Sequence, residues 1–141
     1  MIYAELTENL YTGNETIDGQ HRELIEKINR LLEVCESGDG KLSALRMLNY
    51  LSEYTQFHFR EEEELQKEAG YPGLEQHKKK HEELRRTVDE LYDMLEEEEG
   101  PTDKFVHQVS LNVIEWLYNH IQGFDRSVAE YINVRNNPEL L

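Results

Sequence analysis

Five of the six histidines in this 141-residue chain stand where imidazoles could share a metal ion. His58 precedes Glu62 by one helical turn, and His77 precedes His81 in the same way. Side chains four apart on a helix project from one face, with Cβ atoms about 5–6 Å apart, so each pair can ligate one centre or two adjacent ones. His21 and His120 each lie on the apolar face of their own segments. His107 falls about 220° around the helix from His120, and no metal role is expected for it.

The elements that must position these residues follow from punctuation and period. Ser37-Gly38-Asp39-Gly40, Gly70-Tyr71-Pro72-Gly73 and Gly100-Pro101-Thr102-Asp103 carry the glycines and prolines that end helices. They leave an arm at 1–16 and four predicted helices over 18–37, 41–69, 74–99 and 103–134. The first has a stripe of His21, Leu24, Ile28, Leu31 and Cys35; the second has Leu48, Leu51, Thr55, His58, Glu62 and Leu65. The third gives His77, His81, Leu84, Val88, Leu91 and Leu95. The fourth gives Val106, Val109, Val113, Trp116 or Leu117, and His120, and Pro138 is expected to stop it.

Connections this short favour an all-α, antiparallel up-down-up-down four-helix bundle, here with a short N-terminal arm. In that topology the start of helices one and three and the end of helices two and four share one end of the bundle. All five inward histidines and Glu62 then converge on one layer of a single domain.

Composition narrows the partners. Hydrophobic residues at 38% suffice for a packed core, and a formal charge of -15 repels phosphate backbones and anionic lipid surfaces. Neither nucleic acid nor a membrane is an expected partner. The N-terminus lacks a signal-peptide pattern, which predicts a cytoplasmic protein, and a monomer is expected. The lone Cys35 excludes an internal disulfide and a cysteine-based metal site, leaving His, Asp and Glu as ligands. Cys35 itself reads as a core thiol. The glutamate runs 61–64 and 96–99 read as solvated faces, with only Glu62 pointing inward.

Five imidazoles and a carboxylate in one apolar layer are costly unless something satisfies them. One metal ion would be over-supplied by this set. Two ions bridged by carboxylates use all of it and leave a position free for a ligand.

Here the residues acquire a family likeness. Ile17-Asp18-Gly19-Gln20-His21, His58-Phe59-Arg60-Glu61-Glu62, Gly70-Tyr71-Pro72 with His77-Lys78-Lys79-Lys80-His81, and Trp116 through His120 to Asp125 resemble the hemerythrin family over about residues 10–130. The resemblance implies an oxo- or hydroxo-bridged pair of non-haem iron ions. His77, His81 and His120 would hold one, His21 and His58 the other, and Glu62 and Asp125 would bridge them. Asp125 comes from the resemblance alone, because a spacing of five from His120 rotates it about 140° on an ideal helix; local widening near Gly123 would help it reach.

The function implied is reversible O2 binding at the iron with two histidines, for storage, delivery or sensing, in an oxygen-binding protein rather than an enzyme. The absence of an attached output segment favours storage or delivery. Phe59, Trp116, Leu117 and Ile121 are the apolar neighbours best placed to line an O2 pocket. The alternatives are a diiron redox enzyme acting on peroxide, nitric oxide or ferrous iron, and a structural bundle with zinc or no metal. Asn14 and Gln66 depart from the family pattern, which often has an apolar residue and a methionine there. Leu6, Leu10 and Tyr11 are expected to cover the bundle.

Overall fold

The computed structural model describes residues 3–137. Pro138, the expected stop of the last helix, lies outside that range. After a 3-10 turn at Glu8–Leu10, the chain forms α1 (Glu15–Ser37), α2 (Lys41–Ala69), α3 (Leu74–Glu97) and a long α4 over residues 103–136. These make a four-helix bundle, and no strand occurs among the described residues.

Each boundary has a chemical cause. Asn14 accepts a hydrogen bond from the backbone N–H of Ile17 at 3.0 Å, so α1 begins at Glu15 rather than the expected 18. Asn14 is thus a helix cap, which accounts for a polar residue at that position. Thr102 caps α4 in the same way through Phe105 N–H at 3.1 Å. Gly38 and Gly70 close α1 and α2 with φ near +69°, a left-handed conformation that costs any other residue a steric penalty. At its far end α3 stops at Glu97, two residues before the expected end.

The periodic stripes pack as predicted, with Leu24, Ile28, Leu31, Leu48, Leu51, Leu84, Leu91 and Leu95 at 4% exposure or less. Three assignments change. Val106 on α4 is only partly buried, at the edge of the core. On α2 the stripe ends on Gln66, fully buried, while Leu65 is only half-buried. Cys35 is half-buried at the margin of the core, and burial raises its thiol pKa to about 11. In the arm, Ala4 and Leu10 are buried and Leu6 packs at the core's edge, but Tyr11 is exposed, its ring beneath the Arg22 guanidinium rather than on the core. Asp18, also buried, ties this arm down: its carboxylate accepts from the N–H and hydroxyl of Thr12, both at 2.8 Å, and from Gly13 N–H at 3.2 Å.

The last helix is not a uniform α-helix. It widens into π-helical turns at Ser110–Ile114 and Ile121–Asp125, closed by bonds from Glu115 N–H to Ser110 O and from Arg126 N–H to Ile121 O. An extra residue per turn changes which side chains share a face. Gly123 sits in the second widened turn with ordinary helical φ, and a Cβ there would meet nothing within 4 Å. The turn therefore does not need glycine. Gly123→Ala is expected to stabilise the protein by about 0.5–1 kcal/mol through lost unfolded-state freedom, raising the melting temperature by about 2–3 °C. A lowered melting temperature would show that the widened turn depends on this glycine.

Candidate metal centre

Four helices each contribute to one buried layer: His21 from α1, His58 and Glu62 from α2, His77 and His81 from α3, and His120 and Asp125 from α4. None is more than 3% exposed. The seven residues expected to be ligands are thus brought together. The π turn solves the spacing problem at Asp125, because widening Ile121–Asp125 returns a residue five positions on to the face of His120. His107 is exposed and takes no part.

The ligand atoms form two groups that share the carboxylates. Glu62, His77, His81, His120 and Asp125 make one, and His21, His58, Glu62 and Asp125 the other. In the first, His77 Nε2 lies 2.9 Å from Glu62 Oε1, from Asp125 Oδ1 and from His120 Nε2. His81 Nε2 is 3.1 Å from Glu62 Oε1, and His120 Nε2 is 3.1 Å from Asp125 Oδ1. In the second, Asp125 Oδ2 meets His21 Nε2 at 2.7 Å, while Glu62 Oε2 lies 3.6 Å from His58 Nε2. Each carboxylate therefore gives one oxygen to each histidine group.

This arrangement fits metal better than protons. One N–H on His77 Nε2 cannot point at three acceptors, whereas a cation can. Bonds of about 2.1 Å to an octahedral ion put adjacent ligand atoms about 3.0 Å apart, close to the spacings around His77. His58 Nε2 and Glu62 Oε2 find no hydrogen-bond partner among the described residues, although both are buried. Such orphaned groups are expensive in a dry core, and a cation between them would satisfy both.

Electrostatics tell the same story. Burial, reinforced by the Asp125 charge, pushes the Glu62 carboxyl well above the usual carboxylate range. Burial would also raise Asp125, but the charge of His120 and the hydrogen bonds from His120, His21 and His77 together hold it well below. Burial, and then the nearby His21, lower His58 to about 3, and burial likewise lowers His81 and His120. Neutral imidazoles are what a metal requires.

Around the ligands stand side chains that partner their outer ring nitrogens. His58 Nδ1 donates to Gln20 Oε1 at 2.6 Å, and His81 Nδ1 to Glu63 Oε2 at 2.7 Å. Glu63 was expected to be a solvated residue; its side chain is instead only 20% exposed and lies against His81. Gln66 contacts His77 Nδ1 at 2.8 Å. Their signal was available, since Gln66 continues the four-residue step from His58 and Glu62. Phe59 stacks on His81 at 3.8 Å between ring centres and Trp116 on His120 at 4.4 Å, with Leu117 and Ile121 buried nearby in the sequence. Phe124, not anticipated, stacks against His120 at 5.4 Å.

Fold and site together define a helical-bundle metal-binding protein. The family model described as the hemerythrin HHE cation binding domain matches residues 12–132, and the chain belongs to the hemerythrin family. A bacteriohemerythrin of Stenotrophomonas maltophilia is 33% identical over 130 residues, spanning 92% of this chain and 82% of that one. One from Clostridium acetobutylicum is 31% identical, spanning 86% and 92%. Among solved structures, a leucine-to-tyrosine mutant of a hemerythrin superposes with a TM-score of 0.79 at 22% identity, over 94% of this chain and 98% of that one. Among the described residues, no helix is long and apolar enough to cross a membrane.

Proposed function

We propose that this chain binds O2 reversibly at two non-haem iron ions, in storage, delivery or sensing. The observation that carries the reading is the division of Glu62 and Asp125 between two histidine groups of unequal size. His77, His81 and His120 would hold one ion and His21 and His58 the other, with both carboxylates bridging. The second group supplies one imidazole fewer, so it is the side with room for a ligand. A pair of ferrous ions held there would supply the two electrons that reversible O2 binding needs.

The protein's own residues hold this chemistry in check. Gln20 and Glu63 accept the Nδ1 protons of His58 and His81 and so keep each Nε2 lone pair turned inward. Phe59 and Trp116, stacked on ligand rings, with Leu117 and Ile121, surround the layer with apolar surface that excludes water and slows proton delivery. A set dominated by neutral imidazole is less electron-rich than a carboxylate-rich one, which favours binding over cleavage of O2.

The test is anaerobic reduction of the iron-loaded protein followed by admission of O2. A visible charge-transfer band that appears with O2 and disappears under argon is the expected result. Irreversible oxidation would replace this reading with a redox enzyme, and a colourless protein after iron supplementation would remove iron from the site.

A further inference from the structure

Gln66 is fully buried on α2, one turn beyond Glu62, with its amide against Nδ1 of His77 at 2.8 Å. His77 holds both carboxylates and His120 within 2.9 Å of its Nε2. The state of this one ring therefore bears on the whole cluster.

A neutral imidazole carries one proton. If His77 ligates through Nε2, that proton must sit on Nδ1, which then needs an acceptor. The Gln66 amide, 2.8 Å away, can turn either end to Nδ1; with its NH2 toward the ring it offers the opposite. In that orientation Nδ1 accepts, and the ring proton is driven onto Nε2, where it occupies the lone pair that coordination requires. Turning the amide by 180° exchanges donor and acceptor without moving the side chain's bulk, and the carbonyl then receives Nδ1–H. Amide orientation and ring tautomer are thus locked to each other by one hydrogen bond. His81 differs, because its partner Glu63 presents only oxygen to Nδ1.

We propose that Gln66 is a positioning residue whose carbonyl accepts the Nδ1 proton of His77 and so fixes that ring in the metal-binding tautomer. This rests on the two-ion reading of the site. Loss of a hydrogen-bond partner to a ligating histidine weakens metal binding by about 10–100-fold. Gln66→Met removes the acceptor at similar volume; Gln66→Glu keeps an oxygen and removes the donor.

Two measurements test this. In 15N NMR of the metal-free protein at neutral pH, His77 is expected to carry its proton on Nδ1 in Gln66→Glu, which offers oxygen alone, and on Nε2 in Gln66→Met, which offers no acceptor. In competition of Co(II) or Fe(II) against a chromophoric chelator, Gln66→Met is expected to hold metal about 10-fold or more weakly than wild type. Gln66→Glu is expected to hold it at least as tightly. Circular dichroism of the metal-free variants establishes that both remain helical. Equal affinity in all three proteins overturns the proposal. So does a parallel loss in both variants, which would make Gln66 a packing residue. A wild type that takes up neither metal removes the two-ion reading and the metal half of this proposal with it, while the NMR comparison still decides the coupling of amide and tautomer.

Discussion

Removal of metal by a chelator is expected to lower the melting temperature by more than about 10 °C. A ligand present at a thousandfold over its Kd adds about 4 kcal/mol to stability, and the site has two groups to fill. For a chain of this size each kcal/mol is worth about 3 °C. The metal-free protein must bury five imidazoles and two carboxylates with His58 Nε2 and Glu62 Oε2 unpartnered. Its stability will also depend on pH with a definite sign. His58 falls from an unfolded value near 6.5 to about 3 in the fold, so between those values the unfolded chain binds more protons. His81 and His120 shift in the same direction. The contribution of the histidines is therefore full above about pH 6.5 and declines as pH falls through that window, by about 1.4 kcal/mol per pH unit for each; Glu62, raised well above its ordinary range, works in the opposite sense, but one carboxyl against three imidazoles leaves the net sign theirs. Calorimetry of loaded and stripped protein at pH 7 and pH 5 checks both statements. Coincident melts with and without metal would refute the metal-binding account, and a stripped protein more stable at pH 5 than at pH 7 would refute the electrostatic one.

The second large effect comes from Glu62→Gln, which is expected to move function and stability in opposite directions. Glu62 serves both histidine groups, so loss of its charge deprives both ions of a bridging ligand. Metal retention should fall by at least about 100-fold, beyond the range seen when only a ligand's hydrogen-bond partner is lost. The metal-free protein should gain about 1–3 kcal/mol, because a buried carboxyl with a strongly raised pKa and an unpartnered Oε2 becomes a neutral amide. The new NH2 group can also donate to His58 Nε2, now 3.6 Å from Glu62 Oε2 and without a donor among the described residues. Metal analysis of the purified variant, with chelator-stripped melts of both proteins, reads the two halves separately. A variant that keeps two equivalents of iron would show that Glu62 does not bridge. One whose stripped form melts below stripped wild type would show that the carboxyl is not under strain.

Much of this was legible in the sequence because helices write their period into it. The stripes from Leu24 to Leu31 and from Leu84 to Leu95 need only the 3.6-residue repeat, and the three glycine-bearing breaks need only the chemistry of helix ends. Short connections then force antiparallel neighbours, and that topology alone carries His21, His58, His77, His81 and His120 to one end of the bundle. Polarity is a poor guide to exposure at two positions. The repeat favours Leu65 over Gln66 and sets Glu63 in solvent, because a lone side chain's polarity says nothing about a partner from another helix. His77 and His81 supply those partners across the α2–α3 contact.

The amino-acid sequence by itself determined the helices, their order, the layer in which the histidines meet and the scarcity of ligands other than His, Asp and Glu. Those follow from local periodicity and connection length. Tertiary structure decided what local rules do not encode: the π turn that swings Asp125 onto the face of His120, the division of each carboxylate between two histidine groups, and the pairing of Gln20, Glu63 and Gln66 with particular ring nitrogens. Each of these depends on how one helix is placed against another to within a hydrogen-bond length, a precision that only the packed core supplies.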